Sequence, residues 1–207
     1  MAAELSTPGA YSSSNLRKHT SRNPLQRLLL ERFHETARLL LAMVTPAPRR
    51  ILDAGCGEGF AMRAVLGPTG AAVVGLDGSA GAVRLARELN PSCRFAAGDL
   101  YALPFPTASF DLVVCMEVLE HLDEPSLGLR ELRRVSARWL LLSVPDEPFF
   151  RGANFLRGKN LRAWGNDPGH VNHWSYWGFL RFVAPYASIV AARRSFPWTL
   201  ALCRVDT

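Results

Sequence analysis

Apolar residues recur at helical spacing from Pro24 to Val44, in PLQRLLLERFHETARLLLAMV, and Asn23 stands where a cap would close the first turn. This predicts a long amphipathic helix. Beyond the proline-broken TPAPRR the rhythm changes. RILDA reads as a short buried strand, followed by a helix over 58–66, the strand AAVVGL and a helix over 79–89. Two strands, CRFAAG and FDLVVCM, come next, then a helix from about 124 to 136 and the strand RWLLLSV. Strands that are apolar throughout are buried on both faces, and their alternation with helices predicts a parallel sheet covered on both sides. The closing runs SIVAARR and WTLALCRV lie close together and predict an antiparallel pair.

Two stretches break this rhythm. Residues 1–22 are rich in Ala, Ser, Gly and Pro near their start and read as a flexible segment ahead of a single domain over 23–207. Residues 145–173 form an insert too long for a plain connection, broken by Gly152, Gly158, Gly165 and Pro168. Its Phe149, Phe150, Phe155, Leu156 and Trp164 argue against full solvation, and EPFFRGANFLRG has room for a short helix. Long connections at the carboxyl edge of a parallel sheet commonly carry substrate contacts. Ser175 is positioned to cap a further helix.

Composition narrows the class without choosing a function. The chain has 207 residues, 48% hydrophobic and 20% charged, which suits one domain with a sizeable core. Its formal charge is +6, but only Lys18 and Lys159 are lysines and the arginines are scattered. No run of like charge marks a nucleic-acid tail. The four cysteines, Cys56, Cys93, Cys115 and Cys203, have no zinc-like spacing and suit a reducing compartment. No stretch approaches 18 apolar residues and the N-terminus lacks an apolar core, so the expectation is a cytoplasmic protein without a membrane span, monomeric or homodimeric.

In an open parallel sheet, ligands bind beyond the carboxyl ends of the strands, and four successive strand ends here carry candidate chemistry. The first is ILDAGCGEGF, in which Asp53, Gly55, Cys56 and Gly57 precede a helix whose N-terminus favours a negative group. A dinucleotide fingerprint needs a third glycine at the position of Phe60, so a pyrophosphate is disfavoured. The second strand ends at Asp77, Gly78 and Ser79, about twenty residues on, where a carboxylate would grip ribose hydroxyls. The third ends in GDLYALPF, with Asp99 and Leu100, and the fourth in FDLVVCMEVLEHL. A single acidic strand end is often only a helix cap; four in this order make that reading improbable.

This ordered set resembles the class I S-adenosylmethionine-dependent methyltransferases, of the group that includes ubiquinone-biosynthesis O-methyltransferases. The likeness spans about 48–145, with a weaker continuation through GHVNHWS. It implies a Rossmann-like, doubly wound, mostly parallel seven-stranded sheet with an antiparallel closing strand and helices on both faces. By the same resemblance Asp53, Gly55 and Gly57 surround the methionine moiety of S-adenosylmethionine, and Asp77 holds the ribose. Asp99 and Leu100 meet the adenine, Met116 lies near the sulfonium, and Tyr11, Arg17 or Lys18 meets the cofactor carboxylate.

Methyl transfer to oxygen usually needs a base or a metal as well as alignment. Glu117, Glu120 and His121 stand at i, i+3 and i+4, which in a helical turn places them on one face, where they could bind Mg²⁺ or Mn²⁺ with His170 or His173. The same residues without a metal leave Glu117, His121, His170 and His173 as candidate bases or substrate contacts, or His121 as a structural support. A small-molecule acceptor at O or N is the leading expectation. Metal-assisted RNA 2′-O-methylation, favoured by E-x-x-E-H and the net charge, is the alternative, and a non-catalytic cofactor-binding protein the second. Arg151, Arg157 and Arg162 would suit an anionic acceptor, and Trp164, Trp174 and Trp177 a planar one, although solvated arginines and packed tryptophans are the commoner case.

Overall fold

The computed structural model describes residues 13–147, 149–156 and 169–206. Tyr11, Arg157, Arg162 and Trp164 lie outside them, as do the side chains of Phe155 and Leu156. The chain runs α1 (Ser14–His19), α2 (Pro24–Leu41), β1 (Arg50–Ala54), β2 (Ala72–Asp77), α3 (Ala80–Leu89), β3 (Arg94–Ala97) and β4 (Phe110–Met116). It continues through α4 (Pro125–Val135), β5 (Ser136–Pro145), α5 (Phe149–Leu156), α6 (Tyr176–Val183), β6 (Ser188–Ser195) and β7 (Trp198–Arg204). The seven strands form one sheet in the order β3-β2-β1-β4-β5-β7-β6.

Strands β1 to β5 pair in parallel, with Ile51 facing Val73 on one side and Leu112 on the other. β7 inserts antiparallel between β5 and β6, so one reversed strand closes the sheet, as expected. The chain leaves β1 towards β2 and β3, then returns to place β4 and β5 on the opposite side. That reversal opens a crevice at the carboxyl ends of β1 and β4.

Alternation along the strands explains why helices cover both faces. Leu140 and Leu142 of β5 and Ala201 and Cys203 of β7 face one way, against Leu129 and Leu132 of α4 and Phe179 and Val183 of α6. Leu141 of β5 and Leu200 and Leu202 of β7 face the other way, against Phe33, Ala37 and Leu40 of α2. Asn23 caps α2 as expected, its side-chain oxygen accepting from the Leu25 and Gln26 amides at 2.9 and 3.2 Å. Ser175 caps α6 in the same way, accepting from the Gly178 amide.

Two local details differ from the sequence expectation. The helix expected over 58–66 begins only at Phe60, because Gly55, Gly57 and Gly59 all take left-handed φ and extend the turn; it then continues as a π-helical turn, Met62–Leu66. Within the N-terminal 22 residues, Ser14–His19 is the helix α1, capped by Ser13. The insert contains the short helix α5 for which EPFFRGANFLRG has room. No helix among the described residues is long and apolar enough to cross a membrane.

Candidate active site

The first strand end builds the floor of the site. Gly55 has φ +80°, and a Cβ there would meet Val118 Cγ2 at 2.3 Å, so only glycine fits between this turn and the β4 end. The Gly55 and Cys56 amides donate to the Leu76 carbonyl, which ties the turn to β2. Asp77 strengthens the tie: its carboxylate accepts from the Gly57 and Ser79 amides, each at 2.8 Å. The residue expected to hold a ribose therefore also sets the shape of the glycine turn. Ser79 is occupied as the cap of α3, accepting from the Ala82 amide.

Asp53 is the electrostatic centre. It is only 3% exposed, and its Oδ2 has no hydrogen-bond partner. Burial, and secondarily the charge of Asp77, pushes its carboxyl up to about 7. A buried carboxylate oxygen left in this state is suited to a ligand cation. The amino group of a methionine moiety is one, so Asp53 and the glycine cradle fit S-adenosylmethionine. Burial also pushes the Cys56 thiol well above its ordinary range, which leaves it a neutral wall residue.

These strand ends open on two joined clefts. The smaller, about 510 Å³, is lined by Gly55, Asp77, Gly78, Asp99, Leu100 and Val118, which places the expected ribose and adenine contacts together. The larger, about 950 Å³, runs from Asp53, Cys56 and Gly57 past Met116 to Glu117, Glu120, His121 and His170, with Arg17 and Lys18 on its far wall. Asp99 Oδ1 also accepts from the Tyr101 amide and shapes the turn that presents Leu100.

The E-x-x-E-H stretch does not form the helical face that its spacing suggests. Glu117 takes a left-handed φ of +61°, and only Leu119–His121 make a 3₁₀ turn. Glu117 consequently turns towards β5, where the Ser143 hydroxyl donates to it at 3.2 Å, and towards Lys18 of α1. Glu120, His121 and His170 are what the fold brings together, with ligand-type atoms all within 4.8 Å of one another. Glu117 drops out of that set and His170 enters.

His121 has a defined orientation. Its Nδ1 lies 2.6 Å from the Gly169 carbonyl, an atom that can only accept. Nδ1 therefore carries a proton, which leaves Nε2 as the acceptor in the neutral ring. His170, buried at 9% exposure, packs edge-on against the His121 ring at 4.9 Å and against Phe150 at 5.1 Å. The GHVN segment is anchored to the 3₁₀ turn by Val171 and Asn172 amides donating to the Glu120 carbonyl and by the Asn172 side chain donating to the Leu122 carbonyl. His173 is exposed and is not part of the cavity wall; it lies electrostatically near Glu147 instead. Of the tryptophans offered for a planar acceptor, Trp174 packs on Phe179 and Phe182, and Trp177 is largely exposed.

Several wall residues carry no motif and were not legible as functional. Trp198 and Phe33 meet at 5.0 Å, and His19, Phe60 and His34 form a stack with His19 in the middle. Glu58, 1% exposed, receives the Ser13 hydroxyl and the Asn15 side-chain amide from α1.

Comparison with known proteins agrees with this geometry. Residues 52–138 match a family described as a methyltransferase domain. An uncharacterized methyltransferase of Schizosaccharomyces pombe is 32% identical over 161 residues, covering 59% of this chain and 56% of that protein. The 2-methyl-6-phytyl-1,4-hydroquinone methyltransferase of Synechocystis is 36% identical over 104 residues, covering 49% of this chain and 33% of its own. The chain thus spans roughly half or less of the curated relatives it matches. Among solved structures, the magnesium protoporphyrin IX methyltransferase of Synechocystis with bound SAH superposes with a TM-score of 0.71 at 21% identity, covering 94% of this chain and 95% of that one. Residues 52–138, on the sheet and strand ends described above, are thus similar to a methyltransferase domain.

Proposed function

We propose that the chain transfers a methyl group from S-adenosylmethionine to an oxygen or nitrogen of a small molecule. The observation that supports this most is the unpartnered, buried Asp53 carboxylate oxygen at the head of a cleft that continues to a histidine whose Nδ1 is held by the Gly169 carbonyl. When bound, S-adenosylmethionine supplies an activated methyl carbon, whose bond to sulfur breaks as its bond to the acceptor atom forms. Asp53 and the glycine turn hold the amino-acid end, and Asp77 and Leu100 flank the nucleoside end. Such alignment contributes roughly 7–11 kcal/mol in favourable cases. His121 Nε2 takes the acceptor's proton, while the Gly169 carbonyl keeps Nδ1–H in place and stabilises the imidazolium. Glu117 lies in the same compartment, and its carboxyl is raised chiefly by burial, against the opposing effect of Lys18.

The acceptor end of the cleft is apolar as well as titratable. Phe149 and Phe196, both about half exposed, meet at 6.2 Å next to the wall residues Phe150 and Pro197. Together with the relative that acts on a phytyl hydroquinone, this supports a quinone-like or otherwise amphipathic acceptor over a free sugar. A second reading, metal-assisted transfer with Mg²⁺ or Mn²⁺, including RNA 2′-O-methylation, is favoured by the Glu120, His121 and His170 cluster.

The test is transfer of labelled methyl from S-adenosylmethionine into a metabolite extract, resolved by mass spectrometry. Labelled small-molecule product that disappears in Asp77→Ala and in His121→Ala is the expected result. Product confined to RNA and abolished by EDTA would favour the second reading instead.

A further inference from the structure

Helix α2 carries two apolar stripes, and the fold covers only one of them. Leu30, Phe33, Ala37, Leu40 and Leu41 are buried against the sheet. On the outward side stand Leu25, Leu28, Leu39 and, in the turn that follows the helix, Met43, all between 43% and 61% exposed. Arg32 and Glu35 lie between them and are exposed as well. With 3.6 residues per turn, these six positions fall within about a quarter of the helix circumference, roughly opposite the buried stripe. A helix whose outer face meets only water is polar there. The spacing of the six, 3, 4, 3, 4 and 4 residues, is instead that of a seam along which two helices pack.

Charge decides what fits this seam. Neither Arg32 nor Glu35 has an ion-pair partner among the described residues. A second copy of α2, laid antiparallel about a two-fold axis level with Phe33 and His34, supplies both partners. It sets Arg32 opposite Glu35 of the other copy, Leu28 opposite Leu39, and Leu25 opposite Met43. Each contact then occurs twice, as an isologous interface requires. A parallel pair would set Arg32 against Arg32 and Glu35 against Glu35, and like charges in register repel. A wholly apolar occupant would bury both charges without a partner, which is costly.

We propose that the outward face of α2 is the interface of an antiparallel, two-fold homodimer of this chain, with Leu25, Leu28, Leu39 and Met43 as its apolar contacts and the Arg32–Glu35 pairs fixing its register. None of these six residues lines either cleft, whereas Leu30, Phe33 and His34 on the inner side of α2 line the larger one. Pairing therefore leaves both cleft linings untouched, and the dimer does not depend on what the clefts bind. A single helix pair falls below the roughly 1,600 Å² of a standard interface, so association is weak and reversible.

The test is sedimentation equilibrium of the full-length chain, loaded from about 1 to 300 μM to cover the affinities of small interfaces. The unaltered chain should show a monomer–dimer equilibrium. Arg32→Glu and Glu35→Arg should each weaken it about tenfold or more, because each sets like charges face to face twice. The double variant Arg32→Glu/Glu35→Arg should restore it to within about threefold. An equimolar mixture of the two single variants should form a heterodimer that neither forms alone. Leu28→Gln/Leu39→Gln, at positions exposed in the single chain, should also weaken association about tenfold, with circular dichroism confirming that each variant keeps its helix content. A chain that stays monomeric throughout would overturn the proposal. So would a dimer equally strong in all variants, which would place the contact elsewhere, or one weakened by the glutamines but not restored by the charge swap, which would break the register. A monomer that sediments with phosphatidylglycerol vesicles, and loses that binding in Leu28→Gln/Leu39→Gln, would assign the stripe to a lipid surface and overturn the dimer.

Discussion

Asp53 shows how a single buried carboxyl can weaken a fold. Its carboxyl titrates near 7 in the folded chain and near 3.8 when unfolded. Between those values the folded state holds the extra proton, so this group's effect on stability becomes progressively unfavourable as pH rises from about 4 to 7. Asp53→Asn removes that charge, and its thermal midpoint at pH 8 should exceed that of the unaltered protein, measured without ligand. The same variant should bind S-adenosylhomocysteine more weakly. In the unaltered protein a ligand ammonium favours the ionised carboxylate, so binding releases a proton and affinity should fall as pH drops from 7 towards 6. A flat calorimetric profile across that range would remove Asp53 from the ammonium site. Gly55 is constrained differently, by space and by its φ of +80°. Gly55→Ala should cost roughly 1–3 kcal/mol in urea unfolding and abolish cofactor binding, because Val118 must move.

The scale of elements divides what the sequence shows from what it hides. The Asn23 and Ser175 caps, the glycine turn and the continuous apolar strands could be read directly, since each depends on neighbours within a few residues. The E-x-x-E-H turn could not, because the left-handed backbone at Glu117 answers to contacts from β5, β7 and α1 that no local pattern records. His170 and His173 looked equivalent in sequence; the Glu120 carbonyl, by fixing Val171 and Asn172, puts one in the wall and the other outside it. The helix α1 was hidden for the same reason, its contacts with Glu58 and Phe60 lying far apart in the sequence. Its histidine stack gives it a pH limit. Burial, helped by the Lys18 charge, lowers His19 to about 3 and His34 to about 4. Both are neutral when folded, so their contribution to holding α1 is fully present above pH 6.5 and is lost as pH falls towards 4. Hydrogen exchange at residues 13–20 should therefore rise, relative to its intrinsic rate, across that interval, and His19→Phe should blunt the rise while keeping the stack. A His19→Phe profile identical to that of the unaltered chain would show that the stack does not hold α1.

For the whole molecule, the topology explains why chemistry collects where it does. The reversal of chain direction between β1 and β4 leaves one crevice at their carboxyl ends, and β1, β2, β4 and the loop after β3 all finish there. The fold class was legible because four strand ends in order specify that crevice. The acceptor was not, because the far end of the crevice is walled by α1, α5, β7 and the GHVN segment, which share no motif. The central claim is that this crevice holds S-adenosylmethionine by its acidic strand ends. The most direct test is calorimetric titration of S-adenosylhomocysteine at pH 8 into the unaltered chain and Asp77→Ala, with circular dichroism to check the fold of each. The account predicts one saturable site, with affinity at least tenfold weaker in a folded Asp77→Ala. Equal affinity in the two proteins, or no binding to the unaltered chain, would contradict it.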